Sequence, residues 1–332
     1  MKKIIDYFPF FAEKELLELR INLLKDHVDG FIISEANKTH NGEDKEFICK
    51  KLIEELDLPK EKITVLETHI PDSDQLIPTE CDYAFARDAG AEKLRAKNWA
   101  RERLQRDALM AHINDGYDDD TVFILSDCDE IIDPKHLEYF SQCSRASEGN
   151  VIKVPLVLLE GRADTRVFED KTFVDWSKSL VLCTKKQLRN GGSPTIFRGE
   201  YYNPYPPVWI TQSGKRVEDC GWHFTWMGDE NSRGYKARTS VLSSTPEAFN
   251  TLSSNSAERF GGGCNNRSLK TYPVQLLPKI IFDLPRVCNF LLPKEPGLSP
   301  QAPTADYIKS LSPEEKEKAS KLLLLLVELL KG

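Results

Sequence analysis

The chain has 332 residues, 40% of them hydrophobic, and a formal net charge of -7 at pH 7. That length suits one large domain or two small ones and can bury a substantial core. The negative balance argues against a general nucleic-acid binder, which carries a basic surface, and offers no electrostatic attraction to anionic lipid.

In chain order, the run Ile4-Ile5-Asp6-Tyr7-Phe8 predicts a first strand within residues 3–11, ended by Pro9. Residues 12–25 read as a helix, with Leu16, Leu19, Leu23 and Leu17, Ile21, Leu24 covering a broad apolar face. A second strand follows over 28–35, then the polar loop Ala36-Asn-Lys-Thr-His-Asn-Gly42, a helix over 47–56 and a strand over 62–67. This β-α-β-α-β order predicts a doubly wound α/β sheet. Residues 70–90 read as irregular and 91–114 as a long helix, broken near Asn98-Trp99.

The next stretch organises the chain. Thr121-Val-Phe-Ile-Leu-Ser126 predicts a strand covered on both faces, and Asp127-Cys128-Asp129-Glu130 follows at its carboxyl end. Ligands of open α/β sheets bind at that end. In an extended run Asp127 and Asp129 point to one side, where their charges repel unless a cation intervenes. A hard divalent ion suits such a pair, because magnesium or manganese takes carboxylate oxygens and shares its shell with water and phosphate. The competing reading is a helix start, since Asp133-Pro134 has the form of an N-cap with Pro at N1.

Beyond this point another apolar strand is expected over 151–159, then short antiparallel strands over 176–183 and 195–202, with a rigid loop at Asn203-Pro-Tyr-Pro-Pro207. Residues 243–267, with Gly261-Gly-Gly263, read as a mobile loop or a lid. Residues 293–303 read as a Pro-rich linker and 313–331 as a helix. Its Leu-rich end is too short to span a bilayer, which leaves docking on the main domain, a homodimer contact or a membrane-surface contact. The expected domains are therefore 1–292 and 293–332. The eight cysteines lack any Cys-X-X-Cys pair or His at zinc spacing, which disfavours a structural zinc site. No long apolar leader follows Met1, so the expected setting is the cytoplasm, with or without membrane-surface contact, and reduced thiols.

Several side chains carry candidate chemistry. Glu102 and Arg106 stand in the favourable order for a helical ion pair, and Arg101 suits a diphosphate or a sheet-edge contact. His223, between Trp222 and Phe224, is either a core histidine or a metal ligand reaching the carboxylates from the far half of the domain. Trp222 and Trp226 either stack on a sugar or base, or fill core. Glu218, Asp219 and Glu247 are near enough in sequence to His223 to supply a general base.

Five segments in order resemble the β-1,4-mannosyl-glycoprotein β-1,4-N-acetylglucosaminyltransferases, glycosyltransferase family 17. They are Tyr7-Phe-Pro-Phe-Phe11 with Glu35-Ala-Asn-Lys-Thr-His-Asn-Gly42, Arg101-Glu102 with Gln105-Arg106-Asp107, Leu125-Ser-Asp-Cys-Asp-Glu-Ile131, and Gly221-Trp-His-Phe-Thr-Trp226. The resemblance implies a GT-A-like (Rossmann-like) mixed sheet flanked by helices, with a helical tail beyond it. It also implies manganese or magnesium at Asp127, Asp129 and His223, a UDP-sugar donor (UDP-N-acetylglucosamine favoured), a glycan acceptor and inversion at the anomeric carbon. Phe10, Phe11, Glu35, Asn37, Lys38, Arg101, Arg106, Asp107, Trp222 and Trp226 are then expected around the donor. With Glu247 aligned to the family's downstream acid, Thr245 stands where the family carries His. Two other classes use parts of the same pattern. A metal-dependent phosphohydrolase shares the carboxylates, and a non-catalytic sugar binder keeps only the aromatic surface.

Overall fold

The computed structural model describes residues 2–87, 92–113, 116–169, 172–176, 180–199, 207–212, 215–239 and 268–292. The first strand, β1 (Ile4–Phe10), runs on through Pro9, which pairs in parallel with Ser34 instead of ending the strand. Helix α1 (Lys14–Leu24), strand β2 (Gly30–Ala36), helix α2 (Cys49–Glu55) and strand β3 (Ile63–Thr68) complete the expected β-α-β-α-β start.

Between β3 and the central strand come the described helices α3 (Glu80–Arg87), α4 (Glu92–Arg106) and α5 (Leu109–His112). The stretch read as irregular thus holds a helix, started where Thr79 donates its backbone N–H and hydroxyl to Asp82. The long helix breaks at Asp107-Ala108, not at Asn98-Trp99. There the Tyr7 hydroxyl donates to the Arg106 carbonyl at 2.6 Å, and the Asp107 carboxylate accepts from the Thr195 backbone N–H.

The central strand β4 (Val122–Leu125) is followed by β5 (Glu130–Ile132), helix α6 (Pro134–Ala146), β6 (Val151–Lys153) and β7 (Leu156–Glu160). The run read as one strand over 151–159 is two, because Pro155 has no N–H to donate and the chain changes sheets there. Next come β8 (Thr165–Glu169), β9 (Thr172–Phe173), β10 (Asp175–Trp176), β11 (Val181–Thr184), α7 (Lys185–Arg189) and α8 (Pro194–Arg198). Helix α8 takes residues 195–198 of the strand expected over 195–202, whose last three residues lie outside the described ones; the Ser193 side chain caps it and Pro194 stands in its first turn. The chain continues through β12 (Pro207–Trp209), β13 (Thr211–Gln212), β14 (Lys215–Arg216), β15 (Gly221–Thr225) and α9 (Glu230–Thr239). After the undescribed stretch come β16 (Ser268–Thr271), α10 (Ile280–Asp283) and α11 (Pro285–Leu291).

Two mixed sheets carry the fold, so the expected α/β class with mixed sheets and flanking helices is observed. The first has the order β12-β6-β11-β4-β1-β2-β3, parallel from β4 to β3 and turned antiparallel where β11 joins β4. The second has the order β16-β8-β7-β15-β5. The Val122–Leu125 strand is buried along its whole length, as the unbroken apolar run requires. Helix α1 buries Leu16, Leu17, Leu19 and Leu24 and, among them, Arg20. The described cysteines are free, with Cys49, Cys128, Cys183 and Cys220 buried. No described helix is long and apolar enough to cross a membrane. The lid expected over 243–267, Thr245, Glu247, the Asn203–Pro206 part of the rigid loop, the linker and the C-terminal helix lie outside the described residues.

Candidate active site

Residues 126–130 turn from the first sheet into the second, and a buried arginine shapes that turn. The Arg20 guanidinium pairs with Asp6 through Nε to Oδ2 at 2.7 Å and Nη2 to Oδ1 at 2.6 Å. Its remaining N–H groups donate to the carbonyls of Asp127 at 2.7 Å and Glu130 at 2.9 Å and to the Ser126 hydroxyl at 2.6 Å. Glu130 folds back to accept from the Asp127 backbone N–H and takes the Trp176 indole N–H on its other oxygen. Asp133 caps α6 from its N-terminus, so the helix-start reading of this region is correct alongside the carboxylate cluster.

The two aspartates face cations supplied by the chain itself. Arg198 grips both Asp127 oxygens, with Nη2 2.7 Å from Oδ2, and also reaches Glu130 at 3.0 Å. Arg106 also reaches Asp127, at 3.0 Å, and holds the expected ion pair with Glu102. Lys236 Nζ lies 2.9 Å from Asp129 Oδ2, and His223 Nε2 lies 3.6 Å from Asp129 Oδ1. Burial pushes the Asp127 carboxyl up, but Arg106 and Arg198 together outweigh it and hold it well below the usual carboxylate range. Asp129 behaves alike, with burial overcome by Lys236 and His223.

Strand β15 brings His223 here because its register sets His223 opposite Glu130 on β5 and Leu158 on β7. The His223 ring rests against Trp176, with centroids 4.7 Å apart. Gly221 permits this pairing, since a Cβ there would stand 2.2 Å from the Ile131 carbonyl oxygen.

In front of the aspartates opens a cleft of about 210 Å³ whose walls include Phe10, Phe11, Glu13, His40, Glu102, Gln105, Arg106 and Lys236. Gln105 fixes its rim by donating to the carbonyls of Phe10 and Ser34, both at 2.9 Å. The loop after β2 meets the end of α9 where Asn41 donates to the Arg238 carbonyl at 2.9 Å.

The residues expected around the donor divide into two groups. Phe10, Phe11 and Arg106 line the cleft beside Asp127 and Asp129. The others serve the framework. Glu35 is fully buried, where it accepts from Lys45 and the first N–H groups around α2. Asn37 accepts from the Ile70 N–H, and Lys38 pairs with Asp44 and Asp72. Arg101 holds the loop by donating to the His40 carbonyl and the Ser73 hydroxyl, packed against Gly42. Burial raises the Asp107 carboxyl, which ties α8 to the helix break. Trp222 is core, and Trp226 lies under Lys236, whose Nζ is 5.6 Å from its ring centroid.

Of the expected bases, Glu247 lies outside the described residues and Glu218 and Asp219 do not line the cleft. Glu218 and Asp219 are exposed at the opposite end of β15 from Thr225, and Asp219 pairs with Arg166 at 3.0 Å. Arg198, Lys236 and Glu13, which do reach this region, were not singled out from the sequence. Arg198 sat in a stretch read as a strand, and Lys236 and Glu13 belong to no motif.

Asp129 and His223 fit a divalent ion. They face one another through His223 Nε2, 3.6 Å from Asp129 Oδ1, a span an ion can bridge, while the ring's other nitrogen, Nδ1, is buried without a hydrogen-bond partner among the described residues. Asp127 fits less directly, since two arginines already occupy its oxygens. No group of three or more His, Cys, Asp or Glu ready to hold a metal occurs among the described residues. The ion's remaining positions would therefore fall to water and substrate oxygens, as is usual for magnesium.

Comparison with known proteins bears on this site. The family model described as glycosyltransferase family 17 matches residues 1–156, which include β1, the loop after β2, Arg106, Asp127 and Asp129. Over that stretch, 156 of the 332 residues, the chain is similar to glycosyltransferase family 17. The match holds four of the five segments that resemble the family, all but Gly221–Trp226, and with them the class of enzyme, a glycosyltransferase. No curated protein matches the chain. Among solved structures, 4-diphosphocytidyl-2C-methyl-D-erythritol synthase is 11% identical, with a TM-score of 0.36, covering 66% of this chain and 93% of that one. S. aureus TarS 1-349 is 9% identical, with a TM-score of 0.35, covering 77% of this chain and 70% of that one. Both likenesses are loose.

Proposed function

We propose that this glycosyltransferase is a metal-dependent, inverting enzyme that moves N-acetylglucosamine from a UDP-sugar to a carbohydrate acceptor. The observation that supports the reading best is the meeting of opposite charges at one cleft: Asp127 and Asp129 against Arg106, Arg198, Lys236 and His223. A nucleoside diphosphate needs both signs, cations for its phosphates and carboxylates for a bridging ion.

Asp129 and His223 would hold the ion, which when bound neutralises charge building on the departing diphosphate. Arg106 and Lys236 line the same cleft and are placed to receive phosphate oxygens by exchanging them for Asp127 and Asp129. Phe10 and Phe11 form an apolar wall suited to a base or sugar face. An acceptor hydroxyl attacking the anomeric carbon opposite the diphosphate gives inversion.

The direct test incubates the protein with UDP-N-acetylglucosamine, manganese and a mannose-terminated oligosaccharide, then follows UDP, inorganic phosphate and the anomeric configuration of product by NMR. UDP release with a β-linked product is expected. Release of inorganic phosphate without a glycoside would replace the transferase by a phosphohydrolase, and an α-linked product would remove inversion.

A further inference from the structure

A second cavity, of about 140 Å³, lies beside the cleft and shares Phe11, Glu13 and Lys236 with it. Its other walls are mainly aromatic and apolar, including Phe224, Met227, Tyr235 and Phe290. Phe11, which borders both spaces, stacks on Tyr235 of the second, ring centroids 5.6 Å apart and 28° from parallel. Tyr235 is 41% exposed, so its ring is open to a ligand in this cavity.

Glu13 sits where the cavities meet. Its Oε2 accepts the backbone N–H groups of Phe11 and Ala12, both at 3.0 Å, which fixes the carboxylate at the start of α1. Its Oε1 makes no hydrogen bond or ion pair among the described residues. One oxygen is thus anchored and the other is open to whatever lies between the cavities.

We infer that the second cavity is the acceptor-sugar subsite and that Glu13 is the catalytic base of the transfer. This rests on the donor reading of the cleft given above. Aromatic walls suit the apolar face of a pyranose ring, and the shared wall sets an acceptor hydroxyl against a donor held at Asp129. The step balances within the two substrates. The acceptor O–H proton passes to Glu13 Oε1 as the oxygen's electron pair forms the new bond to the anomeric carbon. The bond from that carbon to phosphate breaks, and its pair leaves on the nucleoside diphosphate; Glu13 then returns the proton to water. A positioned base of this kind contributes about 10²–10⁴-fold to rate.

The test compares the parent protein with Glu13→Gln, Glu13→Asp and Tyr235→Ala. UDP binding with manganese is measured by calorimetry, and UDP release from UDP-N-acetylglucosamine with and without methyl mannosides or methyl N-acetylglucosaminides. The inference predicts unchanged UDP affinity in Glu13→Gln, a fall of at least 100-fold in glycoside-stimulated kcat, and partial recovery in Glu13→Asp. Tyr235→Ala is expected to raise the glycoside KM about tenfold, close to the 1.4 kcal/mol that a tenfold change represents, with kcat and UDP affinity retained. Glycoside-stimulated turnover within threefold of the parent in Glu13→Gln overturns the base. An unchanged glycoside KM in Tyr235→Ala overturns the subsite, and so does a parent that no glycoside stimulates while it still binds UDP. A parent that binds no UDP fails one step earlier, at the donor reading. If Glu13→Gln loses its fold, as a loss of UDP binding and of cooperative melting would show, the Tyr235→Ala result decides.

Discussion

Arg20 Nη1 lies 2.7 Å from the Asp127 carbonyl oxygen, while the same guanidinium closes a bidentate pair on Asp6. Both side chains of that pair are 0% exposed. A fully buried charge pair between helix α1 and strand β1 therefore sets the backbone of the Asp-X-Asp turn. Replacing Arg20 by Leu leaves Asp6 charged without its partner and frees two carbonyls. Breaking such a pair costs about 3–5 kcal/mol, and urea unfolding of Arg20→Leu is expected to show a loss of that order. An effect within the range of a surface substitution would deny the arginine its framing role.

Gly221 is a second point on which the site depends. A Cβ there meets the Ile131 backbone at 2.2 Å, and backbone cannot swing aside as a side chain can. Gly221→Ala is expected to separate β15 from β5 and carry His223 away from Asp129. Overpacking of this kind costs about 1–3 kcal/mol or more. Thermal melting and manganese affinity, measured on the same sample, should both fall.

Acidification should weaken the fold through the aspartates of the cluster. Asp127 and Asp129 are held below the usual carboxylate range in the folded protein. Their stabilisation is therefore complete above the unfolded value, about 3.9, and is lost as pH falls through the lower folded values. Melting temperature against pH should drop more steeply below about pH 4 in the parent than in Asp129→Asn. Parallel acid limbs in the two proteins would remove Asp129 from this account.

Arg106 lines the cleft between Glu102 and Asp127. Hydrogen bonds to charged groups contribute about 1.5–3 kcal/mol, so Arg106→Ala is expected to weaken UDP binding by roughly tenfold to a hundredfold. Calorimetry checks this, and unchanged affinity would place the diphosphate elsewhere.

The sheet was legible where hydrophobic pattern alone decides. The unbroken run from Val122 to Leu125 could only be a doubly covered strand, and the alternation of strand and helix up to β3 followed from periodicity. Asp127, Asp129 and His223 were legible because residue chemistry and the aromatic context single them out. Lys236 was not. It reaches Asp129 across 107 positions in the chain, and no local pattern in α9 marks it. Arg198 was hidden by a local misreading, for Ser193-Pro194 is a helix start that strand propensity over 195–202 obscured. Pro155 carried the signal for the change of sheet between β6 and β7, and the apolar run around it masked that signal. Glu35, Asn37, Lys38 and Arg101 looked functional as a motif, yet they hold the loop after β2 in place.

The measurement that bears most directly on the donor site is thermal unfolding with UDP and manganese, set beside UDP with chelator, for the parent and Asp129→Asn. A ligand at a hundred times its dissociation constant stabilises by about 2.7 kcal/mol. The account predicts a shift of that size in the parent, dependent on manganese and absent from Asp129→Asn. No shift with UDP and manganese, or the same shift in both proteins, would contradict it.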